Sequence, residues 1–205
     1  MYTNDYAIYS VFFLYILNLL VKMFYLTAPD STVPLSTEQL NVAIQDLETA
    51  LGISEIKIDH FVLSLPHQSF DENGLDETEV VNFSKSVQDS VLPVWAKLSE
   101  LRQSGRIGRL GVAEFGKQEL EILKTAAEAQ GLAVPEINQV NLQDCCVLPK
   151  DLINYSKEQK VELLTHGDAT GKRERENCVK GRGFEGTLHF FLLSLLCRCI
   201  QQSVS

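Results

Sequence analysis

The stretch IDHFVLSLP, residues Ile58–Pro66, decides how this chain is read. It opens on an acid, carries a short apolar run and ends in Leu-Pro. A run this short, bounded by turn-forming residues, reads as a buried strand, here Ile56–Leu65. Just upstream, Ser36, Thr37, Glu38 and Gln39 have the shape of a capping box, in which a serine oxygen takes one orphan amide. Leu40, Ala43, Ile44, Leu47 and Leu51 then recur at helical spacing, and Gly52 supplies a stop. Downstream, residues 66–80 read as a polar, acidic loop around Asn73-Gly74. Val91, Val94, Trp95, Leu98 and Leu101 form the next apolar stripe. Pro93 is expected to confine that helix to a start near residue 90, and Gly105 to end it. Ile107–Val112 is strand-like, and Leu120, Leu123 and Ala127 mark a helix ending near Gly131. A strand at Ile137–Leu142, a helix at Pro149–Glu158 and a strand at Val161–Thr165 complete the pattern.

Strand and helix alternate with short connections, which predicts a parallel sheet with helices packed on it. Right-handed crossovers leave a barrel or an open doubly wound sheet, and periodicity alone does not choose between them. No GxGxxG follows a strand, so a dinucleotide-binding doubly wound fold loses support.

The chain has 205 residues, whereas a complete eight-stranded β/α barrel takes about 250. Its formal charge of -9 is unevenly placed. Residues 29–171 hold 11 Lys and Arg against 23 Asp and Glu, and residues 172–182 hold 5 against 2. An acidic body argues against nucleic acid, because phosphate binding needs clustered Lys and Arg. The basic run Lys172–Arg182 is interspersed with acids and reads as a solvated tail. The five cysteines, Cys145, Cys146, Cys178, Cys197 and Cys199, are odd in number and form no CxxC. Neither a secreted disulfide framework nor a zinc site follows, and a reducing, cytoplasmic setting is expected. His60, His67, His166 and His189 show no metal-ligand spacing. Three parts are expected: 1–28, 29–170, and a basic linker with an apolar tail over 171–205. In the first, Tyr6 to Val21 holds no charge and Lys22 alone interrupts the run to Leu26, so residues 6–26 read either as a membrane anchor or as sequence foreign to the fold. Leu188–Ile200 is apolar but too short to span a membrane as a helix.

Ile58–Pro66, Gly105–Phe115 (GRIGRLGVAEF), Ile137–Leu142 (INQVNL) and Val161–Gly167 (VELLTHG) resemble strands four to seven of an aldo-keto reductase barrel. The likeness is closer to one branch, the regulatory or modifier subunits of glutamate–cysteine ligase. Three features carry it over residues 34–169. Gln139–Leu142 runs into Asp144-Cys145-Cys146 and then Pro149 and Asp151-Leu152. Leu163–His166 is followed by Asp168. Ser64-Leu65-Pro66 stands where the enzymes have His-Trp-Pro. The fold so implied is α/β, a partial (β/α)8 TIM barrel of aldo-keto reductase type, with hydrophobic terminal segments outside the family pattern. Unrelated sequence is expected in place of its first strands and its last strand, as in an alternatively spliced or misassembled product.

Carbonyl reduction on this fold needs a proton donor, a tyrosine activated by a lysine, and a polarising histidine at the strand ends. Ser64 takes the histidine position, and its hydroxyl cannot carry charge near neutral pH. The strands bearing tyrosine and lysine should precede Ser36, where residues 1–28 show no strand–helix–strand pattern. Ala113-Glu114 replaces the family's Ser-Asn pair, placing negative charge near an anionic cofactor. His166 replaces the tyrosine that stacks on nicotinamide, and Gln139 alone is retained. His67 lies too far along to substitute for the missing imidazole. His60 shares a strand face with Ser64 and reads as a packed histidine. No cofactor, metal or catalytic residue is therefore expected. The resemblance implies a non-catalytic subunit that binds and activates the glutamate–cysteine ligase catalytic subunit in glutathione synthesis, with Asp144, Cys145 and Cys146 as candidate partner contacts. For the cysteine pair the plain alternative is one buried small hydrophobe beside an ordinary thiol. The competing functions are an NADPH-dependent aldo-keto reductase and a membrane-anchored protein.

Overall fold

A computed structural model describes residues 19–25, 35–66, 68–71, 73–142, 148–166 and 194–196. Its strands are β1 (Leu20–Phe24), β2 (Ile58–Ser64), β3 (Ile107–Ala113), β4 (Ile137–Asn141), β5 (Glu162–His166) and β6 (Ser194–Leu196). Between them lie the helices α1 (Thr37–Leu51), α2 (Glu77–Ser86), α3 (Leu92–Gln103), α4 (Lys117–Ala129) and α5 (Lys150–Gln159). The sheet order is β5-β4-β3-β2-β1-β6. Strands β1 to β5 pair in parallel, and β6 runs antiparallel along β1.

The order of the parallel strands never reverses, whereas a doubly wound sheet reverses at its switch point. All helices, moreover, pack on one face. Val21, Met23, Phe61, Leu63, Leu110 and Val112 share a core with Leu40, Leu47, Trp95, Leu98, Leu120, Leu123 and Leu152 of the helices. The opposite face holds a separate small cluster of Val62, Ala113 and Ile137, with Leu164 against it. One outer helical layer and one inner face of side chains is the arrangement of a singly wound β/α barrel, of which this chain forms an arc.

Register builds the inner face in rows. Lys22 pairs with Val62, Val62 with Gly111, Gly111 with Ile137, and Ile137 with Glu162. Toward the strand C-termini, Phe24 pairs with Ser64, Ala113 with Gln139, and Gln139 with Leu164. Gly111 is small because its neighbour is not: a methyl carbon there would sit 2.6 Å from Ile137 Cβ and 2.7 Å from the Ile137 carbonyl oxygen.

Local signals explain the helices. Ser36 caps α1 by accepting from the Gln39 amide at 3.4 Å, and Gly52 ends it with φ of 66°. Trp95 is fully buried, and its indole donates to the Ala133 carbonyl at 2.6 Å, so its one polar atom is satisfied. At the N-terminal ends of the strands, Arg102 grips Glu136 with two hydrogen bonds, and Arg109 pairs with Glu162.

Two expectations need correction. The 66–80 segment is not loop throughout, because Asp76 and Glu79 form a reciprocal capping box that starts α2 at Glu77. Nor is the helix expected from near residue 90 a separate one: α3 starts at Leu92, but α2 runs into it. A wide π-helical turn at Val87–Val91 joins α2 to α3. Pro93 has no amide to donate, and the wider turn before it absorbs that break without ending the helix. The terminal segments also contribute to the sheet. Leu20–Phe24, inside the 1–28 hydrophobic run, is β1, and Ser194–Leu196, inside the 171–205 tail, lies on its outer edge. A buried parallel strand is continuously apolar, which hydropathy cannot tell from an anchor. No helix among the described residues is long and apolar enough to cross a membrane.

We expect Gly111→Ala to lower the unfolding free energy by about 1–3 kcal/mol through overpacking against Ile137. Urea denaturation measures this, and a loss below that range would mean that Ile137 has room to yield.

Candidate functional site

In a β/α barrel the chemistry sits where the strands end, because the loops there can change while the strands hold their positions. In this chain those ends carry a buried polar cluster. Lys22, Ser64 and Gln139 are each about 95% buried, with exposures of 5%, 6% and 6%. All three belong to the inner face by register. The Lys22 ammonium lies 3.9 Å from Glu114 Oε1, with side-chain exposures of 6% and 12%, and 4.8 Å from the centre of the Phe24 ring. A buried lysine without an anion would be severely destabilising, so this pairing is a condition of its burial.

Glu114 ties the mouth together. It follows β3 in the left-handed region, with φ of 64°. That conformation costs a non-glycine residue about 1–2 kcal/mol and persists only where the surroundings impose it. Here they do so four times. The Glu114 amide donates to the Gln139 carbonyl at 2.9 Å, and its own carbonyl accepts from Gln68 Nε2 at 3.2 Å. Its Oε2 accepts from the Asn141 amide at 3.0 Å, and its Oε1 faces Lys22. Strand β1, the ends of β3 and β4 and the loop after β2 thus converge on one residue.

Beside it, Glu119 in the first turn of α4 is 3% exposed and accepts from Gln68 Nε2 at 3.2 Å through Oε1. Its Oε2 has no hydrogen-bond partner among the described residues. Burial pushes the Glu119 carboxyl up from its ordinary range, and Asp71 adds to this. Its own amide, Gln68 and the Gly116 amide oppose it. Gln118 fastens the same loop, accepting from the Leu75 amide at 2.6 Å and donating to its carbonyl at 3.2 Å.

Ser64 is on the inner face, and its carbonyl accepts from the Tyr25 amide at 3.2 Å. Tyr25 directly follows β1, but its hydroxyl donates to the Ser36 carbonyl at 2.7 Å, and burial raises its pKa far above the ordinary phenol. Gln139 Oε1 is buried with no partner among the described residues. The same is true of His60 Nδ1, whose ring belongs to the row paired with Arg109, away from the mouth. No group of three or more potential metal ligands occurs among the described residues. His67, Asp144, Cys145 and Cys146 lie outside the described residues, as does the side chain of His166. Sequence reading missed Lys22, Gln68 and Glu119. For Lys22 the signal was present: it is the one charge in an otherwise apolar run, and a lone charge inside a strand demands a partner.

No family model matches the chain. It is 31% identical over 158 residues to a Schizosaccharomyces pombe protein named "Putative glutamate–cysteine ligase regulatory subunit", which covers 74% of this chain and 53% of that protein. It is 41% identical over 76 residues to the human glutamate–cysteine ligase regulatory subunit, covering 37% of this chain and 26% of that one. The chain therefore spans about half the length of the yeast relative. Among solved structures it is similar to MGS-M4, an aldo-keto reductase enzyme from a deep-sea metagenome library. There the TM-score is 0.47 at 16% identity, over 79% of this chain and 48% of that one. The resemblance read from Ser64, the NQVNL strand and the LLTH stretch is matched by curated relatives of that description.

Two measurements test the cluster. Glu114→Gln alone should cost about 3–5 kcal/mol, because it removes the carboxylate facing a buried ammonium, and Lys22→Met with Glu114→Gln should cost clearly less than the sum of the single changes. Additive losses in urea denaturation would show the pair to be uncoupled. The Glu119 shift has a definite sign. A carboxyl whose pKa is raised by folding binds its proton more tightly in the folded state, so its contribution falls as pH rises through the folded value. Glu119→Gln should therefore remove a stability component that grows on acidification from neutrality, seen as a flatter pH profile of the melting temperature. An unchanged profile would place the titration elsewhere.

Proposed function

We propose that this chain acts as a non-catalytic regulatory element that binds the catalytic subunit of glutamate–cysteine ligase and raises its activity in glutathione synthesis. The observation that carries the reading is the similarity to glutamate–cysteine ligase regulatory subunits, at 31% identity over 158 residues in yeast and 41% over 76 in human. The mouth of the arc supports it. Ser64 offers no imidazole, Tyr25 is committed to the Ser36 carbonyl, and Lys22 is held by Glu114. A nicotinamide dinucleotide fits this mouth poorly, because its phosphates and ring would meet the Glu114 carboxylate where the chain already neutralises Lys22. Regulation needs no acid, base or metal on this chain. It needs only that the chain bind one conformation of its partner more tightly than another, which is a coupling free energy between sites. Asp144, Cys145 and Cys146, which follow β4 in the sequence, are the docking residues we propose.

The test is co-elution of the full chain with the purified catalytic subunit, followed by assay of glutamate dependence. We expect a stable complex and an apparent affinity for glutamate raised by roughly fivefold or more. Absence of a complex, or a complex with unchanged kinetics, would end this reading. NADPH should leave the melting temperature of the chain alone unchanged; a saturable rise, with turnover of an aldehyde, would establish the reductase instead.

A further inference from the structure

We propose that the outer edge of β5 is a pairing surface for a second copy of this chain, with Leu164 on the two-fold axis. The inference is independent of the regulatory role. It rests on where the backbone of β5 points. The Glu162 amide donates to the Glu136 carbonyl at 2.9 Å, so the backbone of Glu162 faces β4. The ladder then runs in unbroken register from Ile137 with Glu162 to Asn141 with His166. Successive residues of a strand turn their amides and carbonyls to opposite sides, so the backbone of Leu163 and Thr165 faces away from β4. Strand β5 ends the sheet, and no strand pairs with this edge among the described residues. An exposed edge is ordinarily blunted by proline, lysine, a bulge or brevity. Glu162–His166 holds no proline and no lysine, and its register has no bulge. The strand at the other end of the sheet, β6, is only three residues long and is protected by that alone.

Symmetry selects the occupant. The outward-facing groups sit at 163 and 165, evenly placed about Leu164. Antiparallel pairing with a copy about that residue sets Leu163 opposite Thr165 on each side of the axis, and each such pair exchanges both of its N–H···O bonds. Every outward group on both copies is then satisfied in one register. The same register sets Glu162 opposite residue 166 of the copy, a histidine, so the acid meets the strand's one basic residue type. Leu164 meets its own copy at a non-hydrogen-bonded pair, where Cα atoms lie about 4.5 Å apart. It is partly buried against Val62, Ala113 and Ile137 on the inner face, while Leu163 is partly buried against the helical core. A two-fold axis normal to the sheet keeps both inner faces on one side, so each copy extends the other's inner cluster. A contact of this kind closes at two.

The experiment is sedimentation of the full chain over a wide concentration range, with Thr165→Pro, Thr165→Val and Leu164→Cys alongside. Proline removes the outward amide and leaves the bonds to β4 intact, whereas valine keeps that amide. We expect a reversible dimer, weakened roughly tenfold or more by Thr165→Pro, because both copies lose a donor, and little changed by Thr165→Val. Oxidised Leu164→Cys should form a dimer whose disulfide, mapped by peptide mass spectrometry, joins position 164 to position 164. If Thr165→Pro does not fold, the position of that cross-link decides alone. Five results would overturn the proposal: a chain that stays monomeric, open-ended assembly, a dimer that a folded Thr165→Pro leaves unchanged, a cross-link that spares position 164, or a monomeric chain whose complex with the ligase catalytic subunit is lost in Thr165→Pro, which would give this edge to a strand of that partner.

Discussion

A parallel sheet can be built only if every strand is followed by a connection that carries the chain back to its start, and a helix is the economical one. That constraint orders the rest of this molecule. Each crossover lays a helix on the same face, so Phe61, Leu63, Leu110 and Val112 meet Leu47, Trp95, Leu98 and Leu123 in one continuous core. The other face is left to curve inward with a smaller set, Val62, Ala113 and Ile137. Space on that concave side is short, and Gly111 shows how short.

The ends of the strands obey a different rule. The C-terminal ends hold buried charge, and buried charge must be answered. Lys22 is answered by Glu114, and Glu114 is anchored by Asn141, Gln68 and Gln139. The opposite ends carry Arg102 with Glu136 and Arg109 with Glu162, which brace neighbouring strands closer to solvent. In Glu136, burial works to raise the carboxyl pKa, but the Arg102 hydrogen bonds and charge outweigh it and hold the carboxyl below its usual range. One end of the arc is therefore ordinary ionic bracing. At the other, a buried ammonium and a carboxylate are held by side chains and backbone groups from several strand ends.

Much of the body was legible because its signals are local. The Ser36 cap, the Gly52 stop and the stripe from Leu40 to Leu47 fixed α1 without reference to any other part of the chain. The apolar runs in β2, β3 and β4 were equally plain, and strands that alternate with helices imply parallel pairing. Where reading failed, a neighbour had changed the meaning of a residue. Pro93 is a helix breaker in isolation, yet the π turn before it carries the helix through. The capping box Asp76–Glu79 was itself local and was overlooked inside an acidic stretch.

The hydrophobic run before residue 28 marks where sequence reading reached its limit. Composition fixed that the run must be buried, since Leu20 to Phe24 with one lysine has no stable place in water. It could not say buried in what, because a membrane and a sheet reward apolar residues alike. For Leu20–Phe24 the tertiary structure decided it by supplying β2 on one edge and a carboxylate for Lys22. The residue types and their order determined helices, strands, the parallel sheet and the absence of an imidazole at position 64. Only the folded arrangement brought Lys22, Glu114, Asn141 and Gln68 together across more than a hundred residues, because a buried ion pair is specified by the geometry of convergence and leaves no periodic trace along the chain.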